Sequence, residues 1–214
     1  MLIDQFGRVH RYLRLSVTDR CNLRCFYCYP NGSEYQWKPR EEILTYEEIQ
    51  QLVEIFAHLG IEKIRITGGE PLLRHNLAIL VNRLASIKGI THIGLTTNGI
   101  LLARFVEELK EAGVNSINIS LDTLRPDRYQ RITGFPLYYQ VKEGIDKALM
   151  LGFNSVKINC VVIRGFNEDE IDDFMNWIQE APIEVRFIEF MPFQGTSWEE
   201  GRVVTGFEIE SYLR

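Results

Sequence analysis

The chain alternates short runs of apolar and β-branched residues with longer segments in which apolar residues recur every three or four positions. The short runs are typical of β-strands, and the longer segments are typical of amphipathic helices. Six strands are predicted, at Tyr12–Val17, Lys63–Thr67, His92–Thr96, Ser116–Leu121, Ser155–Ile163 and Glu184–Phe190. The predicted helices run from a capping box at Thr45 to Gly60 and over Asn76–Ile87, Leu101–Ala112, Tyr139–Leu151 and Glu168–Gln179, and another begins near Phe207.

This regular succession of strand and helix predicts a parallel sheet with right-handed crossovers. A complete barrel of this kind has eight strand–helix units, and the chain supplies six. We therefore expect an α/β fold, a partial (β/α)6 TIM-type open barrel. Because no linker-like segment interrupts the pattern, residues 1–214 are expected to form a single domain.

Polar side chains gather on one face of nearly every predicted strand, because residues two apart along a strand share a face. Sheets covered by helices are normally apolar on both faces, so these polar faces indicate a cavity that holds water or a ligand. A single cation on a strand usually extends to solvent. Three of them on the same face predict an anion site, and they suit a polyphosphate better than one carboxylate: Arg14, Arg65 and Lys157.

Three of the four cysteines lie within eight residues, at Cys21, Cys25 and Cys28, with the spacing C-x3-C-x2-C. Three thiolates leave one iron of a [4Fe–4S] cluster without a protein ligand, and that iron can bind a small molecule. A structural zinc site would need a fourth ligand, for which His10 and His75 are the candidates. A disulfide fits less well, because the chain shows no signal peptide and few cysteines for its length.

A second loop motif, Thr67-Gly68-Gly69-Glu70-Pro71, directly follows the second predicted strand. Paired glycines let a ligand approach the main chain, and Glu70 adds an acceptor, although an ordinary turn is the alternative. The cysteine loop follows the first strand. Both motifs are therefore expected at the carboxyl ends of the strands, where folds of this class keep their active sites.

Charge and hydropathy narrow the choice of partners. The net charge of −5 provides no basic field to attract nucleic acid, so an anionic ligand must be held by local cations. No apolar run is long enough to span a membrane, and no transit peptide is visible. The sequence thus predicts a cytoplasmic protein that binds neither nucleic acid nor membrane.

The cysteine loop combined with Gly-Gly-Glu-Pro resembles the radical S-adenosylmethionine enzymes. Within them the chain is similar to the GTP 3′,8-cyclases of molybdenum cofactor biosynthesis. The matching stretches follow one another in order: Phe6-Gly7-Arg8, Thr18–Cys25, Ile64–Arg74, Thr97-Asn98-Gly99, Asn118–Leu124, Ile132-Thr133-Gly134, Lys157-Ile158-Asn159 and Arg186–Pro192.

The resemblance implies a role for each matching residue. It implies that the cluster is held by Cys21, Cys25 and Cys28, and that S-adenosylmethionine chelates the open iron. It implies that S-adenosylmethionine is bordered by Tyr27, Gly69, Ser120 and Met191. It implies that GTP is bound by Arg14, Arg65, Thr96 and Lys157, with Lys63 and Arg186 as weaker candidates. No side chain is expected to act as a catalytic acid or base, because the cofactor carries the radical chemistry.

The resemblance also implies the reaction and its partners. One electron from the cluster cleaves S-adenosylmethionine to methionine and a 5′-deoxyadenosyl radical, which removes the hydrogen at C3′ of GTP. The resulting carbon radical attacks C8 of guanine and gives 3′,8-cyclo-7,8-dihydro-GTP. The implied partners are an electron donor such as flavodoxin or ferredoxin and a protein that acts on the cyclised product. A homodimer is compatible with the resemblance.

The chain departs from the family at two points. The family carries a second [4Fe–4S] cluster on three C-terminal cysteines, to which guanine binds, and this sequence contains none of them. The remaining Cys160 is expected to be a buried core thiol. Tyr29-Pro30 stands where the family usually has Met-Pro. We therefore expect a fragment that covers the first six βα units and does not cyclise GTP efficiently.

Other functions remain as alternatives. One is a different radical S-adenosylmethionine reaction on a peptide or RNA, which the barrel-facing cations disfavour because they suit a phosphorylated small molecule. A zinc-stabilised binding module without catalysis is the alternative of another class. A nucleic-acid-binding domain would need a basic stripe or an aromatic platform, and the sequence shows neither.

Overall fold

Six strands of the computed structural model form one parallel sheet, and the structure describes residues 1–28, 36–193, 196 and 198–213. The strands of the described ranges are β1 (Leu2–Ile3), β2 (Val9–His10), β3 (Tyr12–Ser16), β4 (Lys63–Thr67), β5 (His92–Thr97), β6 (Ser116–Ser120), β7 (Ser155–Val162) and β8 (Glu184–Glu189). The α-helices are α1 (Tyr46–His58), α2 (Leu77–Ala85), α3 (Leu102–Ala112), α4 (Pro126–Thr133), α5 (Tyr138–Met150), α6 (Ile171–Glu180) and α7 (Gly206–Tyr212). Tyr29-Pro30 lies outside the described residues.

The sheet has the order β3-β4-β5-β6-β7-β8, so each strand pairs with the next one along the chain. All five pairings are parallel. The strands β3 and β8 lie at opposite edges, which leaves the sheet open. This arrangement confirms the predicted partial barrel. A separate antiparallel pair, β1 with β2, precedes it.

Local signals in the sequence set the helix ends. At the start of α1 the Thr45 hydroxyl accepts a hydrogen bond from the Glu48 amide at 3.2 Å, and the Glu48 carboxylate accepts one from the Thr45 amide at 2.7 Å. This reciprocal pair satisfies two amides that the helix itself leaves free. At the end of α3, Gly113 takes a φ of 116°, a left-handed conformation that favours glycine.

The outer face of the sheet forms the core with the helices. Its strand residues are almost entirely buried, and they include Ile64, Ile66, Ile93, Leu95, Ile117, Ile119, Ile158 and Cys160. The predicted buried position of Cys160 is thus confirmed, and its thiol contacts the carbonyl of Asp122 at 3.5 Å. The opposite face carries the polar residues and lines the inside of the partial barrel.

Two elements were not predicted from the sequence. One is the antiparallel pair β1–β2, whose strands of two residues are too short for an alternation pattern. The other is α4, a polar helix of eight residues that begins with Pro126. It buries Tyr129, Ile132 and Thr133 along one side, and its position beside the cysteine loop matters for the site. In the described part of the chain, no helix is long and apolar enough to cross a lipid bilayer.

Candidate active site at the carboxyl ends of the strands

A cavity of about 500 Å³ opens at the carboxyl ends of the first strands of the sheet. Its lining includes the three loop cysteines Cys21, Cys25 and Cys28, together with Gly68 and Gly69. The strand ends contribute polar side chains to the same cavity, namely Ser16, Thr18, Thr67, Thr96, Asn98, Ser120 and Asp122. The prediction that the cysteine loop and the glycine loop share one edge of the sheet is confirmed.

The three cysteines are free thiols in a partly enclosed setting. Burial raises the pKa of Cys21 and Cys25, and burial together with the charge of Asp122 raises the pKa of Cys28 to about 11. A thiol must lose its proton to bind a metal. These cysteines therefore suit a ligand that brings positive charge of its own, such as iron, because that charge favours the thiolate form.

The cysteine loop rests on the last turn of α4. The amide of Arg24 donates to the carbonyl of Thr133 at 2.9 Å, and the amide of Phe26 donates to the carbonyl of Ile132 at 3.1 Å. Both amides flank Cys25. Carbonyls at a helix end lack partners within the helix. These two hydrogen bonds therefore supply partners for the carbonyls of Ile132 and Thr133 and also hold the cysteine loop in place.

Tyr27 is tied to the opposite wall of the cavity. Its hydroxyl donates to the Asp122 carboxylate at 2.5 Å, and the other carboxylate oxygen accepts from the Val161 amide at 2.8 Å. Burial raises the pKa of Asp122 to about 6. The Tyr27 ring also meets Phe190 edge to face, with 6.5 Å between ring centroids. The sequence pattern does not reveal that Asp122 holds Tyr27, because the two residues are 95 positions apart in the chain.

Glu70 is fully buried, and both of its oxygens have partners within the protein. They accept hydrogen bonds from the Leu72 amide at 3.0 Å, the Thr97 hydroxyl at 2.8 Å and the Asn98 amide at 2.7 Å. The sequence suggested an acceptor for a ligand. The structure instead shows a carboxylate that joins the glycine loop to the end of β5.

The paired glycines bring two loops together. A Cβ atom on Gly68 would lie 2.4 Å from the carbonyl oxygen of Thr18, and one on Gly69 would lie 2.3 Å from that of Arg20. The amide of Gly69 donates to the Thr18 carbonyl at 2.7 Å. The sequence suggested that these glycines admit a ligand to the main chain. The structure shows that they admit the segment leading into the cysteine loop.

The predicted cations share the inner face of the sheet but do not line this cavity. Arg14 pairs across the strands with Arg65, two residues nearer the amino ends of the strands than Ser16 and Thr67. Lys157 forms an ion pair with Glu184, whose other oxygen accepts from Nε of Arg186 at 2.6 Å. In this structure Lys157 and Arg186 thus share one carboxylate.

Arg65 is buried inside the partial barrel and is held by hydrogen bonds from three sides. Its Nη1 donates to the Leu95 carbonyl at 3.2 Å and to the Asn118 side-chain oxygen at 3.0 Å, and its Nε donates to the Tyr12 hydroxyl at 3.2 Å. The guanidinium lies across Gly94, where a Cβ atom would come within 2.4 Å of Cζ. Sequence reasoning missed Gly94, although a glycine inside a strand is itself a signal of close approach.

Of the cofactor-binding residues implied by the resemblance, some line the cavity and one does not. Tyr27, Gly69, Ser120 and the substrate candidate Thr96 line the cavity. Met191 follows β8, is about half exposed and is not among the cavity residues that the structure describes.

The two histidines considered as a fourth zinc ligand lie elsewhere. His10 contacts the Asp4 carboxylate at 3.5 Å, and the His75 carbonyl accepts from the Tyr46 hydroxyl at 2.8 Å. In residues 1–28, 36–193, 196 and 198–213, no three His, Cys, Asp or Glu side chains surround one point as a single metal ion requires. The cysteines of a [4Fe–4S] cluster each bind a different iron, and the three loop cysteines line one cavity.

Comparison with known proteins gives the same picture. The model of the radical SAM superfamily, whose members use a [4Fe–4S] cluster and S-adenosylmethionine, matches residues 15–178. GTP 3′,8-cyclase of Alkaliphilus metalliredigens is 51% identical over 211 residues, covering 98% of this chain and 66% of that protein. Molybdenum cofactor biosynthesis protein 1 of Homo sapiens is 48% identical over 213 residues, covering all of this chain and 33% of that protein.

A solved structure supports the fold independently. Methylornithine synthase aligns with a TM-score of 0.74 at 19% identity, covering 98% of this chain and 63% of that chain. The chain therefore spans between a third and two thirds of the length of these three proteins. The superfamily match covers most of the chain, including both loops that form the cavity. This protein belongs to the radical S-adenosylmethionine superfamily.

Proposed function

We propose that this chain is the radical-generating portion of a GTP 3′,8-cyclase of molybdenum cofactor biosynthesis, a lyase. The observation that carries the proposal is the shared cavity of Cys21, Cys25 and Cys28 with the glycine loop, in a chain about half identical to proteins of that name. On this proposal residues 1–214 form one radical SAM core domain. The three cysteines hold the cluster and leave one iron open to S-adenosylmethionine.

When bound, the cluster and S-adenosylmethionine would together supply a 5′-deoxyadenosyl radical for removal of the hydrogen at C3′ of GTP. The chain binds and orients the reactants. The backbone of Gly69 receives the amino group of S-adenosylmethionine, Ser120 contacts its polar end, and Tyr27 and Met191 border it. Asp122 holds Tyr27 in place through the 2.5 Å hydrogen bond.

An unpaired acceptor in the cavity supports a bound ligand with donor groups. Asp19 lines the cavity, and its Oδ1 atom is fully buried without a hydrogen-bond partner among the described residues. Its other oxygen accepts from the Lys38 amide at 2.6 Å. A buried carboxylate oxygen without a donor is costly, so an amino or hydroxyl group of a ligand would stabilise this arrangement.

The substrate is proposed to lie deeper in the partial barrel, where three cationic side chains can bind the triphosphate. Arg14, Arg65 and Lys157 bind the triphosphate, and Thr96, which lines the cavity, contacts the substrate as well. Nη2 of Arg65 makes none of the hydrogen bonds found within the described residues, so it offers two N–H groups to a phosphate. Lys157 pairs with the Glu184 carboxylate, and on this proposal the greater negative charge of a triphosphate displaces Glu184.

Reductive cleavage of S-adenosylmethionine tests the proposed function. The chain is reconstituted anaerobically with iron and sulfide, reduced with dithionite and mixed with S-adenosylmethionine, and 5′-deoxyadenosine and methionine are quantified. We expect stoichiometric iron and sulfide and formation of both products. Binding of zinc without iron and sulfide would contradict the proposal and favour a zinc-stabilised binding module.

The triphosphate site predicts weaker GTP binding in Lys157→Ala. Loss of a hydrogen bond to a charged group costs about 1.5–3 kcal/mol, which lowers affinity roughly ten- to a hundredfold. Isothermal titration of the reconstituted chain with GTP measures this change. Lys147→Ala is the matched control, because Lys147 lies on α5 with its ammonium 3.2 Å from the Ala103 carbonyl. Equal affinity in the two variants would contradict the triphosphate site.

The proposed reaction requires two further proteins. A low-potential one-electron donor such as flavodoxin or ferredoxin must reduce the cluster, and a partner protein must act on the cyclised product. Free thiols and an oxygen-sensitive cluster suit the reducing cytoplasm.

The chain contains no cysteines for a second cluster, which in the family anchors guanine. We propose that the 214 residues alone cleave S-adenosylmethionine but do not cyclise GTP efficiently.

A further inference from the structure

The hydroxyl group of Tyr129 is buried without a partner. Tyr129 lies in the middle of α4 and is 3% exposed. In the part of the chain that the structure describes, only two side-chain polar atoms are fully buried and unpaired, and the Tyr129 oxygen is one of them. A buried hydroxyl without a hydrogen bond costs free energy, so such an atom needs an explanation.

A neighbouring hydroxyl on the same helix has other partners. The Thr133 hydroxyl, one turn along α4, donates to the Tyr129 carbonyl at 2.8 Å and accepts from the Phe135 amide at 3.3 Å. The neighbouring Tyr138 meets the Tyr129 ring edge to face, with centroids 6.0 Å apart. These contacts position the Tyr129 ring and leave its hydroxyl unpaired.

The residue that carries the unpaired hydroxyl lines the cavity of the cysteines. Tyr129 lines that cavity together with Cys21 and Cys25. Its helix is bound to the cysteine loop, because the carbonyls of Ile132 and Thr133 accept the amides on either side of Cys25. The pKa of a tyrosine hydroxyl is ordinarily about 10, well above neutral pH. The hydroxyl therefore keeps its proton and acts as a donor.

We propose that the Tyr129 hydroxyl donates a hydrogen bond to a sulfur atom of the iron–sulfur cluster, either a cysteine thiolate or an inorganic sulfide. The inference rests on the proposed function only in that the three cysteines hold the cluster. A hydrogen bond to sulfur stabilises the reduced cluster more than the oxidised one, because the reduced cluster carries more negative charge. Tyr129 thus raises the reduction potential of the cluster and favours acceptance of the electron.

The variant Tyr129→Phe tests this role, since it removes one oxygen and keeps the ring. We expect the reconstituted variant to contain the same iron and sulfide as the parent chain. We expect its cluster to become harder to reduce, with a shift of about tenfold in the reduction equilibrium, or about 59 mV for a one-electron couple. Potentiometric titration followed by electron paramagnetic resonance, without S-adenosylmethionine, measures the midpoint potential.

Thermal unfolding of the metal-free protein separates this role from a purely structural one. In the metal-free state Tyr129→Phe removes a hydroxyl that has no partner, so the unfolding midpoint is expected to stay the same or to rise by a few degrees. A hydroxyl that served folding would instead lower the midpoint when removed. Tyr138→Phe is the matched control, because Tyr138 packs on Tyr129 but is not among the described cavity residues.

Each outcome decides the question. A lower midpoint potential in Tyr129→Phe but not in Tyr138→Phe supports the hydrogen bond to the cluster. An unchanged potential overturns it, as does an equal change in both variants. An unchanged potential with weaker binding of S-adenosylmethionine would assign the hydroxyl to that ligand instead. Failure of the parent chain to assemble a cluster would contradict the proposed function itself, which keeps the two failures distinct.

Discussion

Replacement of Cys25 by alanine is expected to reduce the iron and sulfide bound after anaerobic reconstitution to background, and with them the cleavage of S-adenosylmethionine. Cys25 is the middle cysteine of the loop, and both flanking amides are fixed on α4. A neighbouring thiol cannot replace it, because each of the three cysteines is needed by a different iron. Metal analysis, the visible absorption of the cluster and the yield of 5′-deoxyadenosine measure the loss.

The fourth cysteine provides the control for this experiment. Cys160 is 2% exposed on the outer, apolar face of β7, and it does not line the cavity. Cys160→Ala removes a thiol of the same kind from the same chain, and we expect full iron and sulfide content with at most a modest loss of stability. If Cys25→Ala retained the cluster, or if Cys160→Ala lost it, the assignment of the three ligands would be wrong.

Arg128→Met is expected to lower the free energy of unfolding by about 3–5 kcal/mol. Nη1 of Arg128 lies 2.8 Å from the carboxylate of Glu170, which is fully buried. The Thr123 hydroxyl at 2.7 Å and the Leu124 amide at 2.7 Å also bind that carboxylate. Removal of the cation leaves a buried charge without its counter-ion, whereas methionine keeps most of the apolar stem. A few kcal/mol is a large part of the stability of a typical domain.

Arg125→Met is the matched control, since Arg125 lies on the same side of the same segment. Its side chain is 44% exposed, and its guanidinium contacts the exposed carboxylates of Asp169 at 3.2 Å and Asp173 at 3.6 Å. Such a surface pair contributes about 0–1 kcal/mol. Urea unfolding of the two variants compares them directly. Equal destabilisation would show that Thr123 and Leu124 suffice to stabilise Glu170 and that Arg128 is dispensable.

The sequence predicted the strands and their order well, because each strand carries its own signal. Apolar runs, a capping box at Thr45 and the helix-ending Gly60 act over a few residues, and the structure confirms all three. A series of such units joined by helices permits few topologies. The open parallel sheet followed from these local signals. The helix α4 was not predicted, because its composition is polar and it is only eight residues long.

The sequence also determined which residues meet at the candidate site. Parallel strands place their carboxyl ends at one edge, so the loops after β3 and β4 had to be neighbours. This rule requires no side-chain detail. The cysteine loop and the glycine loop were accordingly predicted at one edge of the sheet, and the structure places both at one cavity.

What only the tertiary structure decided is how the polar groups are used. The sequence shows that Glu70 is an acidic residue beside two glycines, but burial and its three donors make it an internal tie between loops. It shows cations on one face, but not that Glu184 engages Lys157. The role of Tyr129 is invisible in the sequence, because an unpaired hydroxyl is defined only by the atoms around it. Local patterns fix secondary structure and strand order, whereas the pairing of buried polar atoms depends on contacts between residues far apart in the chain.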